Sequence, residues 1–248
     1  MIYHKTPEEI EIMRQAGKIV AETLDMIEKH LKPGTTTGQL DRLIEEFICS
    51  KKAVPAFKDY QGFPASACIS IDEEVVHGIP GKRVLKEGEI VSIDVGSIYE
   101  GFYGDAARTF PVGEVSAEKK RLMEITQKCL QAGIDKTKNG NKLGQISAAV
   151  QQVAESSGFG VVRQLVGHGI GRQMHEEPQV PNFGSPDDGP VLKPGMVLAI
   201  EPMINMGTYE VKTMPDGWTF VTADGMPSAH FEHTVAVTDN GPDILTLL

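Results

Sequence analysis

The sequence has few cysteines and no long hydrophobic run. Its three cysteines, Cys49, Cys68 and Cys129, are odd in number and lack metal-finger spacing, which favours reduced thiols over a disulfide framework. No apolar stretch is long enough to span a bilayer, and the first residues alternate charged and apolar side chains, unlike a signal peptide. We therefore expect a soluble, cytoplasmic protein without membrane contacts.

An excess of positive charge is also missing. The formal net charge is −10 and no cluster of lysine and arginine stands out, which argues against DNA or RNA as a partner. The hydrophobic fraction of 40% and the charged fraction of 23% are ordinary for a soluble globular protein. A length of 248 residues suits one large α/β or α+β domain, or two small ones.

Apolar periodicity and capping signals predict four helices separated by strands. Thr6 and Pro7 form an N-cap followed by proline at the first helical position. The predicted helices span 7–31, 37–50, 117–137 and 143–156. The predicted strands span 67–71, 90–97, 102–110 and 196–206. A further hairpin over 209–225 carries the only tryptophan, Trp218.

Two acidic residues interrupt the apolar strands of a central hairpin. Asp94 lies between Ile93 and Val95, and Asp105 holds a similar place in the second strand. If the turn is centred near residues 99–100, the two acids face each other, with Cβ atoms roughly 5 Å apart. Two carboxylates that close in an apolar setting cannot both stay ionised unless they share a proton or a cation.

The second half of the chain repeats motifs of the first. The glycine-containing motif at 34–40 recurs at 140–146, and the motif at 85–94 that ends on an acid recurs at 192–201. Both repeats follow their first copy by nearly the same number of residues. This predicts two similar halves, roughly 7–113 and 117–248, within one catalytic domain of residues 1–248. A site between the halves would take side chains from both.

Four acids in apolar strand contexts predict a cation site. They are Asp94, Asp105, Glu201 and Glu232. A single buried acid is often paired with arginine, but Arg108 is almost the only nearby arginine. Two divalent cations would neutralise four carboxylates. Carboxylate with imidazole suits Mn, Co, Fe or Zn, and two such ions about 3.5–4 Å apart form a known hydrolytic arrangement.

One histidine is a candidate metal ligand, and four others are interpreted as non-ligating residues. His168 lies between glycines in GHGIG, which leaves room for a metal centre. His77 and His175 are interpreted as non-ligating acids or donors. His230 and His233 are expected behind the ligands or at the surface, because neighbours along a strand point to opposite faces.

The motifs VVHGIP, SIDVG, GFYGD, GHGIGRQMHEEP, AIEP and FEHTV, in this order, resemble those of the type I methionine aminopeptidases over nearly the whole chain. The resemblance implies a pita-bread fold of the α/β (α+β) class, with two pseudo-symmetric halves and an antiparallel sheet covered by helices around a dinuclear metal site. The implied cofactors are two divalent ions per chain, of Co, Mn, Fe, Ni or Zn. The implied ligands are Asp94, Asp105, His168, Glu201 and Glu232, with Asp105 and Glu232 bridging.

The resemblance also implies an activity: removal of the initiator methionine from nascent proteins and peptides when the second residue is small. A metal-bridging hydroxide would attack the first peptide carbonyl, and Glu201 would carry the proton to the leaving amine. His175 would donate to the oxyanion, His77 would contact the scissile nitrogen, and the substrate amine would lie near Asp94. A place near the ribosome exit and a monomeric state are expected.

The family's methionine pocket corresponds to six positions of this sequence. They are Phe57, Tyr60, Phe63, Cys68, Met174 and Trp218. Met174 stands where phenylalanine is frequent in the family, and Phe57 stands where a small residue or cysteine often occurs, so the shape of the pocket stays open. Without the resemblance, the aromatic residues over 54–64 would be interpreted as ordinary loop packing.

Three other functions fit parts of the sequence. An X-Pro aminopeptidase or prolidase would share the fold, but usually carries an extra N-terminal domain. A catalytically inactive binding relative would be expected to have lost a ligand, and none is lost. A metal-free two-carboxylate hydrolase would stay active after exhaustive chelation.

Overall fold

The computed structural model describes residues 1–248, which form four helices, fifteen strands and a short 3₁₀ turn, Tyr60–Gly62. The helices are α1 (Pro7–Glu28), α2 (Thr37–Ser50), α3 (Ala117–Lys136) and α4 (Gly144–Ser156). The strands are β1 (Val54–Pro55), β2 (Ala67–Ile71), β3 (Glu74–Val76), β4 (Ile90–Tyr99), β5 (Phe102–Pro111), β6 (Gly160–Val161), β7 (Gly167–Gly169), β8 (Glu176–Val180), β9 (Val197–Ile200), β10 (Met203–Asn205), β11 (Val211–Thr213), β12 (Phe220–Thr222), β13 (Ser228–His230), β14 (His233–Thr238) and β15 (Gly241–Ile244). None of the helices has the length and hydrophobicity needed to cross a membrane.

A capping residue, Thr6, sets where α1 begins. The Thr6 side chain accepts a hydrogen bond from the Glu9 N–H, and the Glu9 side chain accepts one from the Thr6 N–H. This reciprocal pair satisfies two of the unpaired amides of the first turn. At the other end α1 stops at Glu28, before the predicted residue 31, because the Leu31 N–H turns back to the Glu28 carbonyl in a tighter final turn.

The central hairpin is formed by β4 and β5, and its register differs from the expectation. Residues Glu100 and Gly101 form the turn, both with positive φ (48° and 81°), as a tight hairpin turn requires. Asp94 therefore lies opposite Ala107, and Asp105 lies opposite Gly96. The prediction that the two acids face each other directly was wrong by two residues. They are diagonal neighbours on the same face of the sheet, because side chains alternate with a period of two.

Proline divides the predicted strand 196–206 into β9 and β10. Pro202 follows Glu201 and has no N–H to donate to a ladder. Strand β9 lies in a five-stranded sheet of order β15-β14-β9-β7-β8, whereas β10 lies in a three-stranded sheet of order β13-β10-β6. Glu201 consequently occupies the point where the chain passes from one sheet to the other.

The other two sheets complete the framework. Strands β1, β4 and β2 form one sheet, with β5 paired to β4, and β11, β12 and β3 form the other. The expected hairpin around Trp218 is confirmed by the antiparallel pairing of β11 with β12. Every strand pair in the protein is antiparallel.

The repeated sequence motifs make equivalent backbone contacts in the two halves of the chain. The Gly34 N–H donates to the Leu85 carbonyl, and the Gly140 N–H donates to the Leu192 carbonyl. An isolated bridge joins Thr36 to Val84, and its counterpart joins 142 to 191. Such pairs of contacts fit a duplicated helix-helix-strand unit, and the duplication itself stays a hypothesis.

Helix α1 packs very closely on the central hairpin. A Cβ placed on Gly104 of β5 would lie 2.6 Å from the Gly17 nitrogen and 2.8 Å from the Ala16 carbonyl carbon. The Ser97 hydroxyl donates to the Ala16 carbonyl at 2.9 Å. Glycine at 104 thus lets the helix backbone lie directly on the strand backbone, which holds the hairpin and its acids against the first helix.

Replacing Gly104 with alanine is expected to lower the free energy of unfolding by about 1–3 kcal/mol, because the added methyl group overpacks the helix–strand contact. Urea unfolding measures the loss. Gly81→Ala is the matched control, since a Cβ at Gly81 meets nothing within 4 Å. Equal losses in the two variants would contradict the argument from close packing.

Candidate metal centre

All five candidate ligands line one cavity of about 320 Å³ between the two halves. Asp94 and Asp105 come from the central hairpin, and His168 lies on β7. Glu201 directly follows β9, and Glu232 directly precedes β14. The structure therefore gathers residues that are far apart in the sequence, with two acids supplied by the first half and three side chains by the second.

Hydrogen bonds across the boundary between the halves hold the acids together. The Glu232 N–H donates to the Ala107 carbonyl at 2.9 Å. The Thr234 hydroxyl donates to the Asp105 carbonyl at 2.8 Å, and the Asp105 N–H donates to the same hydroxyl at 3.1 Å. Thr234 is a supporting residue that the sequence reasoning missed. The sequence feature that could have identified it is a hydroxyl residue in an otherwise apolar strand, two positions after Glu232.

Ligand atoms of Asp105, His168 and Glu232 lie within 4.8 Å of one another. The Nε2 of His168 is 3.6 Å from a Glu201 carboxylate oxygen and 3.9 Å from an Asp105 carboxylate oxygen. These separations leave space for a cation between the oxygen and nitrogen atoms.

Burial and mutual repulsion disfavour the charged forms of the four acids. Burial, followed by the neighbouring carboxylates, raises the pKa of Asp94, Glu201 and Glu232 well above the ordinary value. Burial raises the pKa of Asp105 to about 7. Buried oxygens of Asp94, Asp105 and Glu232 have no hydrogen-bond partner in the protein. Such a cluster needs protons or cations to be stable.

Arginine does not supply that charge. The Arg108 guanidinium pairs instead with Asp25 at 2.9 Å and lies over the Phe110 ring. The interpretation that a nearby arginine neutralises a buried acid is therefore wrong for the only arginine on the hairpin. Carboxylate oxygens and an imidazole nitrogen without thiolate fit a divalent cation of the Mn, Fe, Co or Zn type.

His168 has the geometry of a neutral ligand. Its Nδ1 donates to the Gly169 carbonyl at 2.9 Å, so Nε2 carries the lone pair that faces the acids. Burial is the largest cause that lowers the pKa of His168 to about 3. A backbone carbonyl that fixes the tautomer in this way is typical of metal-bound histidine. The flanking glycines are required by packing, since a Cβ at Gly167 would lie 2.4 Å from the Ala199 carbonyl oxygen.

Two further histidines lie on the cavity wall. His77 has a positive φ of 59°, and burial lowers its pKa to about 4. The Nδ1 of His175 is 2.7 Å from the Tyr60 hydroxyl, and its ring lies 4.4 Å from the His168 ring. Partial desolvation lowers the pKa of His175. Both imidazoles are therefore neutral donors or acceptors near neutral pH.

Of the two histidines near Glu232, His230 is buried and His233 is half-buried. His230 is 1% exposed, and its Nε2 is 3.8 Å from a Glu201 oxygen. The Nδ1 of His233 is 2.8 Å from the Thr246 hydroxyl. The surface alternative was thus wrong for His230. His230 precedes Glu232 by two positions and not one, so strand alternation does not turn it away from the site.

An apolar pocket adjoins the acids in the same cavity. It is lined by the six predicted positions, Phe57, Tyr60, Phe63, Cys68, Met174 and Trp218. The Phe63 and Trp218 rings meet edge to face at 5.2 Å. Phe57 packs on Gly96, where a Cβ would come within 2.8 Å of its ring. The aromatic residues over 54–64 therefore form a pocket wall, and the interpretation as ordinary loop packing was wrong.

Comparisons with known proteins agree with one another. The model of metallopeptidase family M24 matches residues 11–239. The chain is 58% identical over 248 residues to a methionine aminopeptidase of Clostridium acetobutylicum, covering 100% of this chain and 99% of the relative. It is 51% identical over 245 residues to that of Escherichia coli, covering 98% and 93%.

Solved structures show the same architecture. A crystal structure of methionine aminopeptidase from Thermotoga maritima matches with a TM-score of 0.98 at 49% identity, covering 100% of both chains. A prolidase from Pyrococcus furiosus matches with a TM-score of 0.77 at 22% identity, covering 99% of this chain and 65% of the prolidase. At that identity the second likeness concerns the fold alone.

The raised carboxyl pKa values predict how the stability of the metal-free protein depends on pH. The pKa of Asp105 is about 7 in the folded protein, whereas an unfolded aspartate titrates near ~4. The folded state therefore binds this proton more tightly. The stability that it contributes is present below about pH 4 and is lost as the pH rises through about 7.

We therefore expect the Tm of chelator-treated protein to fall between about pH 5 and about pH 8 by several degrees, and to fall less in Asp105→Asn. Scanning calorimetry in a chelator measures both slopes. Asp187→Asn, which changes an exposed carboxylate, is the control and keeps the parent slope. If Asp105→Asn has the parent slope too, this assignment of proton binding is refuted.

Proposed function

The chain belongs to metallopeptidase family M24, and we propose that its acidic cavity is where it cleaves the first peptide bond of its substrates. The protein is a metal-dependent hydrolase, an aminopeptidase that removes the N-terminal methionine. Its fold is the pita-bread fold of these enzymes, as the sequence predicted. The observation that supports the cavity as the site is the set of unpaired buried carboxylates next to an apolar pocket.

We propose two divalent ions in the cavity, because four buried carboxyl groups need about four positive charges and no basic side chain supplies them. The residues that would hold the ions are Asp94, Asp105, His168, Glu201 and Glu232. When bound, such ions polarise a carbonyl and provide a deprotonated water at neutral pH.

Glu201 is the proposed proton carrier. It follows β9 at the change of sheet, and its second oxygen faces the buried ring of His230 at 3.8 Å. In the metal-free protein burial raises its pKa well above the ordinary value. With the ions bound, Glu201 would accept a proton from the attacking water and return it to the leaving amine. Asp94, on β4 of the central hairpin, would accept a hydrogen bond from the substrate's α-amine.

His175 is the proposed donor to the oxyanion. If the Tyr60 hydroxyl donates to Nδ1, which lies 2.7 Å away, the ring proton is on Nε2 and is available to the developing negative charge. A neutral imidazole can act in this way because its pKa is lowered. His77, which lines the same cavity, would contact the nitrogen of the scissile bond.

The apolar pocket would hold the methionine side chain. Phe63 and Trp218 provide aromatic surfaces on which a thioether packs favourably. Cys68 and Met174 are 5% and 1% exposed, which leaves little freedom at the pocket wall. A pocket of fixed depth discriminates between apolar side chains by about 1–3 kcal/mol per methylene. A small second residue would be preferred.

The proposed setting is the cytoplasm, with nascent chains near the ribosome exit as substrates and a monomeric enzyme. Two of the three free cysteines are buried, which fits a reducing compartment.

Metal content and peptide selectivity test the proposed function together. We expect about two divalent ions per chain, loss of activity in a strong chelator, and recovery on adding Mn, Co or Fe. Elemental analysis and turnover of Met-Ala-Ser against Xaa-Pro peptides measure these outcomes. Glu232→Gln should bind fewer ions, whereas the exposed control Glu210→Gln should bind the parent number. Activity that survives chelation, or faster cleavage of Xaa-Pro, would overturn the proposal.

Replacing His175 with alanine should lower kcat by about 10²–10³-fold, the typical cost of one oxyanion donor. Tyr60→Phe should lower kcat by about tenfold, because one hydrogen bond that sets the tautomer is lost. Steady-state kinetics at saturating metal measure both. The control is the exposed His30→Ala, with parent kinetics. Parent kcat in His175→Ala would remove this histidine from the mechanism.

A further inference from the structure

The segment before α1 is anchored to the second half of the protein. The Lys5 N–H donates to the Gly195 carbonyl at 2.8 Å, and the His4 Nδ1 donates to the Pro194 carbonyl at 2.9 Å. Lys5 is only 8% exposed, which is unusual for a lysine unless it is paired. This N-terminal arm, residues 1–5, therefore crosses from the start of α1 to a loop close to β9.

A buried ion pair joins the arm to the loop of the candidate oxyanion donor. The Lys5 ammonium lies 2.6 Å from one oxygen of Glu176, and the two side chains are 5% and 4% exposed. The other oxygen of Glu176 accepts a hydrogen bond from the Gln173 N–H at 3.2 Å. One carboxylate thus binds both the arm and the loop, with little water to compete for either contact.

The absence of a side chain at Gly171 leaves a slot in this loop that the Lys5 side chain fills. A Cβ on Gly171 would lie 2.3 Å from the Lys5 Cε and 2.7 Å from a Glu176 oxygen. The Gly171 carbonyl accepts a hydrogen bond from the Tyr103 N–H at 2.9 Å. The backbone of this loop therefore lies between the central hairpin on one side and the lysine side chain on the other.

His175 is the chain neighbour of Glu176, and its ring is held by only one hydrogen bond of its own. That contact is the 2.7 Å approach of Nδ1 to the Tyr60 hydroxyl. The ring also lies 4.4 Å from the His168 ring. A shift of the Glu176 backbone would therefore move the imidazole directly, and displacement of a reacting group by about 1 Å is enough to slow catalysis strongly.

We propose that Lys5 is a positioning residue, which holds His175 in place for the reaction through its buried ion pair with Glu176. The N-terminal arm is thereby part of the active-site framework, although Lys5 does not line the cavity that contains the five candidate ligands. This inference rests on the proposed role of His175. Lysine at 5 carried no sequence signal of such a role, because its partner is distant in the chain.

Lys5→Met tests the proposal, since methionine fills the slot without the charge. We expect kcat to fall about tenfold while KM changes less than about twofold, because the loss affects the transition state and not substrate binding. Glu176→Gln should have a similar effect. The matched control is Lys32→Met, which removes an exposed lysine and should keep parent kinetics. Bound metal per chain should equal that of the parent in every variant.

A double-mutant cycle separates positioning from general destabilisation. In the His175→Ala background, Lys5→Met should lower kcat less than about twofold, since no imidazole remains to be positioned. Amide hydrogen exchange over 171–176, followed by mass spectrometry, should speed up in Lys5→Met and not in Lys32→Met.

Specific results would overturn the proposal. Equal kcat in Lys5→Met and Lys32→Met, the same loss with and without His175, or a loss explained by missing metal would each refute a positioning role for Lys5 and leave the role of His175 standing. Parent kcat in His175→Ala would refute both the positioning role and the proposed role of the histidine.

Discussion

Repulsion among four buried carboxyl groups is the constraint on which the rest of the structure depends. Burial raises the pKa of all four acids, and the neighbouring carboxylates raise it further for Asp94, Glu201 and Glu232. A protein interior accepts such a cluster only if protons or cations compensate it. The surrounding framework therefore has to hold the acids close together against their own repulsion, and it does so with backbone hydrogen bonds from two separate sheets.

The contacts between the halves serve this purpose. Thr234 exchanges two hydrogen bonds with the backbone of Asp105, and the Glu232 N–H donates to Ala107. These bonds attach the strand that carries one acid to the strand that carries another. Because they involve the main chain, they set the positions of the acids without using the carboxylate oxygens, which stay free to bind a cation.

Much of this site could be predicted from the sequence, since strand patterns mark acids placed among apolar residues, and the motifs identify the family. The diagonal placement of Asp94 and Asp105 could not, because it depends on which two residues form the turn. The end of β9 just before Glu201 follows from Pro202 and was foreseeable. The contact of Lys5 with Glu176 was not, since pairing between distant segments leaves no local pattern.

The division of the ligands has a consequence for the integrity of the enzyme. Asp94 and Asp105 precede the exposed connection near Glu114, and the three other candidate ligands follow it. A chain nicked at that connection would leave each fragment with an incomplete set of donors. Divalent ions bound by side chains of both fragments would then link them. Reassembly of the cut protein would depend on ion concentration as much as on apolar packing.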